Sequence, residues 1–200
     1  MRFLTLISCI IGFCMLSGKL VAQPSMPVLY STIDSLGFYR ITIEYSKNTF
    51  TGLLILKKNN DSTLRLILNA EIGPKLLDMD ITPLGYKTNY VFKKLNKKKI
   101  LKTFYEDFGA LAGILMKDKT CVIDYSQLAT SFVYDLGKQK KIVYSSDKTT
   151  DKITAGRAEE RKCVKTIFYY FYNLVTSEIC SMKLEHQQFR MVITLNKINL

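Results

Sequence analysis

The chain has 200 residues, 48 % of them hydrophobic, and carries 29 lysines and arginines against 17 acids for a net charge of +12. That length fits one domain of ordinary size, and the apolar fraction excludes a disordered chain. A single histidine, His186, and cysteines without close pairing exclude any recognisable Ser/His/Asp centre or zinc cluster.

At the start, Arg2 supplies a short positive region and residues 3 to 15 an apolar stretch too short to cross a bilayer. Leu20-Val21-Ala22 then offers a small residue for cleavage, so residues 1–22 read as a secretory signal peptide and 23–200 as one mature domain. A rival reading is a lipoprotein site at Leu6-Ile7-Ser8-Cys9, although it leaves an apolar core shorter than export signals use. Removal of residues 1–22 leaves 27 basic and 17 acidic side chains, a charge that favours anionic surfaces. The expected address is the periplasm, with a membrane-anchored lipoprotein as the alternative.

From residue 38 the apolar period is two, the mark of strands with one buried face. Runs at 38 to 45, 50 to 57, 63 to 70, 75 to 82 and 86 to 92 are separated by turn residues such as Asn59-Asn60-Asp61-Ser62 and Gly73-Pro74. The last run places Tyr86, Thr88, Tyr90 and Phe92 on one face. Five short strands so joined make an antiparallel meander.

Leu101, Phe104, Phe108, Leu111 and Leu115 then recur at three-to-four spacing, which predicts a helix over 98 to 116. Lys97, Lys98, Lys99 and Lys102 crowd its start, where positive charge opposes the helix dipole. Gly109 and Gly113 inside it predict close packing on the sheet, since each weakens a helix by about 1 kcal/mol relative to alanine.

Strands return at 130 to 136 and 141 to 146, then a polar surface loop fills 145 to 161, and strands follow at 163 to 172, 177 to 185 and 189 to 196. His186-Gln187-Gln188 reads as the last turn, with His186 at the surface. Asp78 and Asp80 share a strand face, which reads as the wet side of an amphipathic strand. Cys121, Cys163 and Cys180 lack the spacing of metal ligands; Cys163 and Cys180 lie on consecutive strands and are candidates for a disulfide, or all three are small buried hydrophobes.

The fold class is therefore mainly β with α, an α+β domain. A strongly curved antiparallel sheet of about ten strands forms a half-barrel with one main helix packed on its concave face. One helix cannot cover ten strands, so the sheet either closes or keeps an apolar face for something else.

In this element order, and locally in Phe50-Thr51-Gly52-Leu53-Leu54, Gly73-Pro74-Lys75-Leu76-Leu77-Asp78 and the segment from Tyr90 to Phe108, the chain resembles the outer-membrane lipoprotein carrier and receptor superfamily, the Lol-type half-barrels. The resemblance implies a concave apolar face, partly lidded by helix, that accepts acyl chains. Its lining would be Leu54, Leu56, Leu66, Leu68, Leu77, Met79, Ile81, Tyr90 and Phe92, with Phe104 and Phe108 on the lid. Lys97, Lys98, Lys99 and Lys102 would meet anionic headgroups.

The family's longer opening helix is absent, since 26 to 37 has room for only two or three turns, and no tip loop presents an exposed leucine. The expected function is binding or transfer of lipids or lipid-modified proteins by a monomer. The expectation includes no cofactor, no catalysis and no nucleic acid. The alternative is a non-catalytic envelope protein, structural or interacting, whose β core is filled by its own side chains.

Overall fold

The computed structural model describes residues 36–60, 63–125 and 129–198. The expected export signal at 1–22 and part of the turn at 59–62 lie outside the described residues.

Twelve strands form one antiparallel sheet among these residues. The first five are β1 (Leu36–Tyr45), β2 (Asn48–Asn60), β3 (Thr63–Ala70), β4 (Lys75–Thr82) and β5 (Gly85–Val91). The other seven are β6 (Cys121–Tyr125), β7 (Ala129–Gly137), β8 (Lys140–Asp147), β9 (Ile153–Glu160), β10 (Cys163–Tyr172), β11 (Ile179–His186) and β12 (Met191–Lys197). Their order across the sheet is β5-β4-β3-β2-β1-β12-β11-β10-β9-β8-β7-β6. Two meanders therefore meet at β1 and β12, where Tyr39 faces Lys197 and Tyr45 faces Met191.

Twelve strands replace the ten expected, the additions being β6 and β9. The polar segment expected as a surface loop contains β9, whose Ala155, Gly156 and Ala158 hide the alternation that marks a strand. Small side chains are needed there, because a Cβ on Gly156 would stand 2.7 Å from the Tyr144 ring.

Helix α1 runs over Lys98–Leu111, shorter than the periodicity implies. Gly113 sits at φ 80°, the left-handed conformation that ends helices, and a 3₁₀ turn follows at Ile114–Met116. Gly109 does allow a close approach, but to the returning chain: its Cβ would lie 2.8 Å from the Leu115 side chain. The turn at Ile114–Met116 touches both β4 and β7, which stand near opposite ends of the strand order. The sheet must therefore bend around the helical segment, with β5 and β6 as its two edges.

Candidate functional site

The concave face of β2, β3 and β4 is aliphatic. Leu54 faces Leu68 and Leu56 faces Leu66 across β2 and β3, while Leu66 faces Met79 and Leu68 faces Leu77 across β3 and β4. These residues and Ile81 are buried, as is Phe108 on the overlying helix, against which Phe104 stacks at 5.8 Å. Nine of the eleven candidate lining positions thus come together at one interface between sheet and α1. Full burial of each such side chain is worth about 1.5–3 kcal/mol.

Tyr90 and Phe92 are not among them, being 44 % and 37 % exposed. A bulge shifts the register between Asp78 and Met79, so that Asp78 faces Tyr90 whereas Met79 faces Thr88. Asn89 is the extra residue, and it moves Tyr90 to the outer face. Val91 takes the inner place opposite Leu77.

Asp78 lies on that outer face, yet it is buried instead of wet. Arg65 Nε and Nη2 each donate to its carboxylate at 2.9 Å, and Lys75 Nζ donates at 2.9 Å. The Arg65 guanidinium, helped by Lys75 and Asn89, holds the Asp78 carboxyl down at about 2, against the opposing effect of burial. Asn89 also donates to Asp80 at 2.9 Å. Both aspartates are thus tied to side chains of the sheet and form no acid-base pair.

The other end of the interface is polar. Tyr144 of β8 donates its hydroxyl to the Ala110 carbonyl, and Tyr170 of β10 donates to the Leu111 carbonyl at 3.1 Å. The Ala110 carbonyl also accepts the Gly113 N–H at 3.0 Å, while both carbonyls belong to the last helical turn, so two buried phenols fix the end of α1. Burial pushes both hydroxyls well above the ordinary tyrosine range.

One turn earlier, Asp107 Oδ2 lies 2.9 Å from His186 Nε2, and Thr166 Oγ1 lies 3.3 Å from His186 Nδ1 and 3.4 Å from Asp107 Oδ1. His186 is therefore no surface turn residue: it ends β11 with its side chain only 5 % exposed, and its ring stacks on Phe189 at 4.5 Å. Burial pushes the Asp107 carboxyl up, and the hydrogen bond from His186 works in the opposite direction. Both ring nitrogens of His186, both carboxylate oxygens of Asp107 and the Thr166 hydroxyl are engaged within one triangle. Thr166 is thus committed to holding α1 against β10 and β11.

Above this triangle a cleft of about 250 Å³ opens between α1 and the sheet, bordered by Lys99, Lys102, Lys140, Lys165, Thr166 and His186 among others. Of the four candidate headgroup lysines, Lys99 and Lys102 reach its mouth, whereas Lys97 and Lys98 are exposed at the uncapped start of the helix. Lys140 and Lys102 lie 2.6 Å and 3.8 Å from Glu106.

The three-dimensional likenesses follow from this architecture. A LolA superfamily protein from Nitrosomonas europaea superposes with a TM-score of 0.56 at 6 % identity, over 88 % of this chain and 92 % of that one. The fold is LolA-like. A DUF1329 family protein from Desulfovibrio piger gives a TM-score of 0.51 at 8 % identity, over 87 % and 89 % of the two chains. No protein-family model and no curated protein matches the sequence.

Within this LolA-type fold two more expectations are corrected. Cys163 and Cys180 are free and exposed, and Cys121 is free and buried. Strands β10 and β11 are neighbours, but Cys163 opens β10 while Cys180 lies beside the pair of Tyr172 with Ile179 at its far end, so no bridge can span them. Tip loops do present leucines: Leu84 and Leu174 are 98 % and 99 % exposed. Sequence reasoning missed the partnership of Asp107, Thr166 and His186, because nothing in their spacing couples a helix to two distant strands.

Proposed function

We propose that this protein is a periplasmic carrier that binds lipids or lipid-modified proteins, working as a monomer and without catalysis. The observation that carries the reading is the aliphatic inner face of β2, β3 and β4, covered among the described residues by α1 and the 3₁₀ turn in a sheet whose edges are β5 and β6. The resemblance to lipoprotein carriers and the LolA-like fold support it. An acyl chain would take the place of Phe104 and Phe108 over the leucine ladder, each buried methylene contributing about 0.8 kcal/mol. Lys97, Lys98, Lys99 and Lys102, at the uncapped start of α1, would meet the anionic headgroup.

One observation favours a second reading, an envelope interaction protein with a self-filled core: the leucine ladder is dry beneath the helix. Uptake of a fluorescent fatty acid, with native mass spectrometry of gently purified protein, separates the two. The carrier reading expects co-purified lipid, and saturable uptake that falls when Leu68→Arg is introduced into a chain that still folds. Absence of both lipid and uptake would leave the interaction reading.

A further inference from the structure

Beside the helix mouth, a second cleft of about 500 Å³ lies between the tips of the β7–β8 and β9–β10 hairpins. Lys138, Lys141, Arg161 and Lys162 border it, together with Asp135 and Glu159. Both acids are already engaged. Asp135 Oδ1 accepts the Gly137 N–H at 2.8 Å, and Glu159 Oε1 accepts from Arg157 Nε at 2.5 Å. The four basic side chains have no ion-pair partner among the described residues.

The backbone beneath them is left-handed at every tip position, as a two-residue hairpin demands, but long side chains stand where such turns favour asparagine and glycine. Each hairpin closes with two residues, and all four take positive φ: Lys138 at 53°, Gln139 at 62°, Arg161 at 52° and Lys162 at 65°. Such turns favour Asn-Gly, because the left-handed region is costly for long side chains. The Arg161 N–H also donates to the Gln139 carbonyl at 2.9 Å, which ties the two tips together. Costly side chains kept at paired tips, beside four cations against two acids, are the pattern of a site instead of a simple connection.

We propose that this cleft is a phosphate-binding site, recognising the phosphate of an anionic lipid headgroup. Arginine and lysine supply forked and point-like donors to phosphate oxygens, and the volume lies within the range of small-ligand pockets. Lys141 and Glu159 border both clefts, so the site is continuous with the lysine-lined mouth of α1. It goes beyond the carrier reading, since a headgroup can bind there with or without an acyl chain buried under the helix.

The test uses the full chain and vesicles of equal parts phosphatidylglycerol and phosphatidylcholine, with pure phosphatidylcholine for comparison. The variant is Arg161→Asn with Lys162→Gly, which suits the turn and removes two charges. A control, Lys57→Gln with Lys87→Gln, removes two charges from the opposite end of the sheet. The variant is expected to melt at a higher temperature than the parent and yet bind the anionic vesicles roughly 30-fold more weakly, while the control binds like the parent.

Competition by soluble glycerol phosphate at the parent's cleft, lost in the variant, supports phosphate recognition; binding of that compound without vesicle binding assigns the site to free phosphate esters and overturns the headgroup assignment. Equal vesicle binding by variant and control overturns the site altogether. Fatty-acid uptake measured on the same samples keeps the two proposals apart, because its failure in the parent removes the carrier reading alone.

Discussion

The two wings of the sheet hold the same helix by different physics. Wing one, β1 to β5, offers mainly an aliphatic surface: Leu54, Leu56, Leu66, Leu68, Leu77, Met79 and Ile81 are buried, and one long hydrogen bond, from the Tyr105 hydroxyl to the Pro83 carbonyl at 3.5 Å, joins it to α1. Wing two, β6 to β12, offers directional groups, with Tyr144, Tyr170, Thr166 and His186 each bonded to a particular atom of the helix. Apolar contact is non-directional and tolerates sliding, whereas hydrogen bonds fix position. The second wing therefore sets where the helix lies, and the first supplies the surface from which it can be displaced.

The largest way to probe this contrast is Leu66→Ala. In a dry core the loss should be about 3.5 kcal/mol, read from the denaturant midpoint; a loss below about 1 kcal/mol would mean that the side chain faces open space. On the other wing, His186→Ala should cost about 2.5 kcal/mol by leaving the Asp107 carboxylate buried without its main partner. Combining it with Asp107→Ala should then recover part of that loss, as coupled neighbours do. Simple additivity in that double-mutant cycle would show that wing two also works through area.

Wing one has its own directional feature, but on the outside. Asp78 is held at about 2 in the folded chain against about 3.9 when unfolded. Its contribution is thus fully present above pH 4 and lost as the pH falls toward 2. The expected size is about 2 kcal/mol, and a stability profile of Asp78→Asn should lack this part of the acid slope. The smallest effect should come from Tyr170→Phe, about 1 kcal/mol for one hydrogen bond to a helix-end carbonyl. It should leave the melting cooperativity intact but speed amide exchange in the last turn of α1.

The difference between the wings also explains what could be read from the residues in order. Strands with strict alternation stood out: residues 63 to 70 and 75 to 82 coincide with Thr63–Ala70 and Lys75–Thr82. Alternation failed where one residue was inserted, at Asn89, and carried Tyr90 to the wrong face. It failed again in β9, where the Tyr144 ring leaves room only for glycine at Gly156 and alanines stand on either side of it in place of large apolar residues. The leucine ladder was legible because burial selects a residue type at every second position. The Asp107, Thr166 and His186 triangle was not, since its members are chosen by a contact between elements far apart in the chain.

The pairing of β1 with β12 has a consequence for assembly. Every other strand pair joins neighbours in sequence, so each wing can zip from hairpins with little loop entropy to overcome. The seam joins opposite ends of the described chain, closed by the Ile198 N–H donating to the Phe38 carbonyl at 2.8 Å. Two fragments, one per wing, therefore carry nearly all of their strand pairing internally and meet along one ladder and through the contacts of α1 with β8, β10 and β11. Cut between α1 and β6, the protein should reassemble by complementation, and the rate at which the fragments associate would time the closing of the seam.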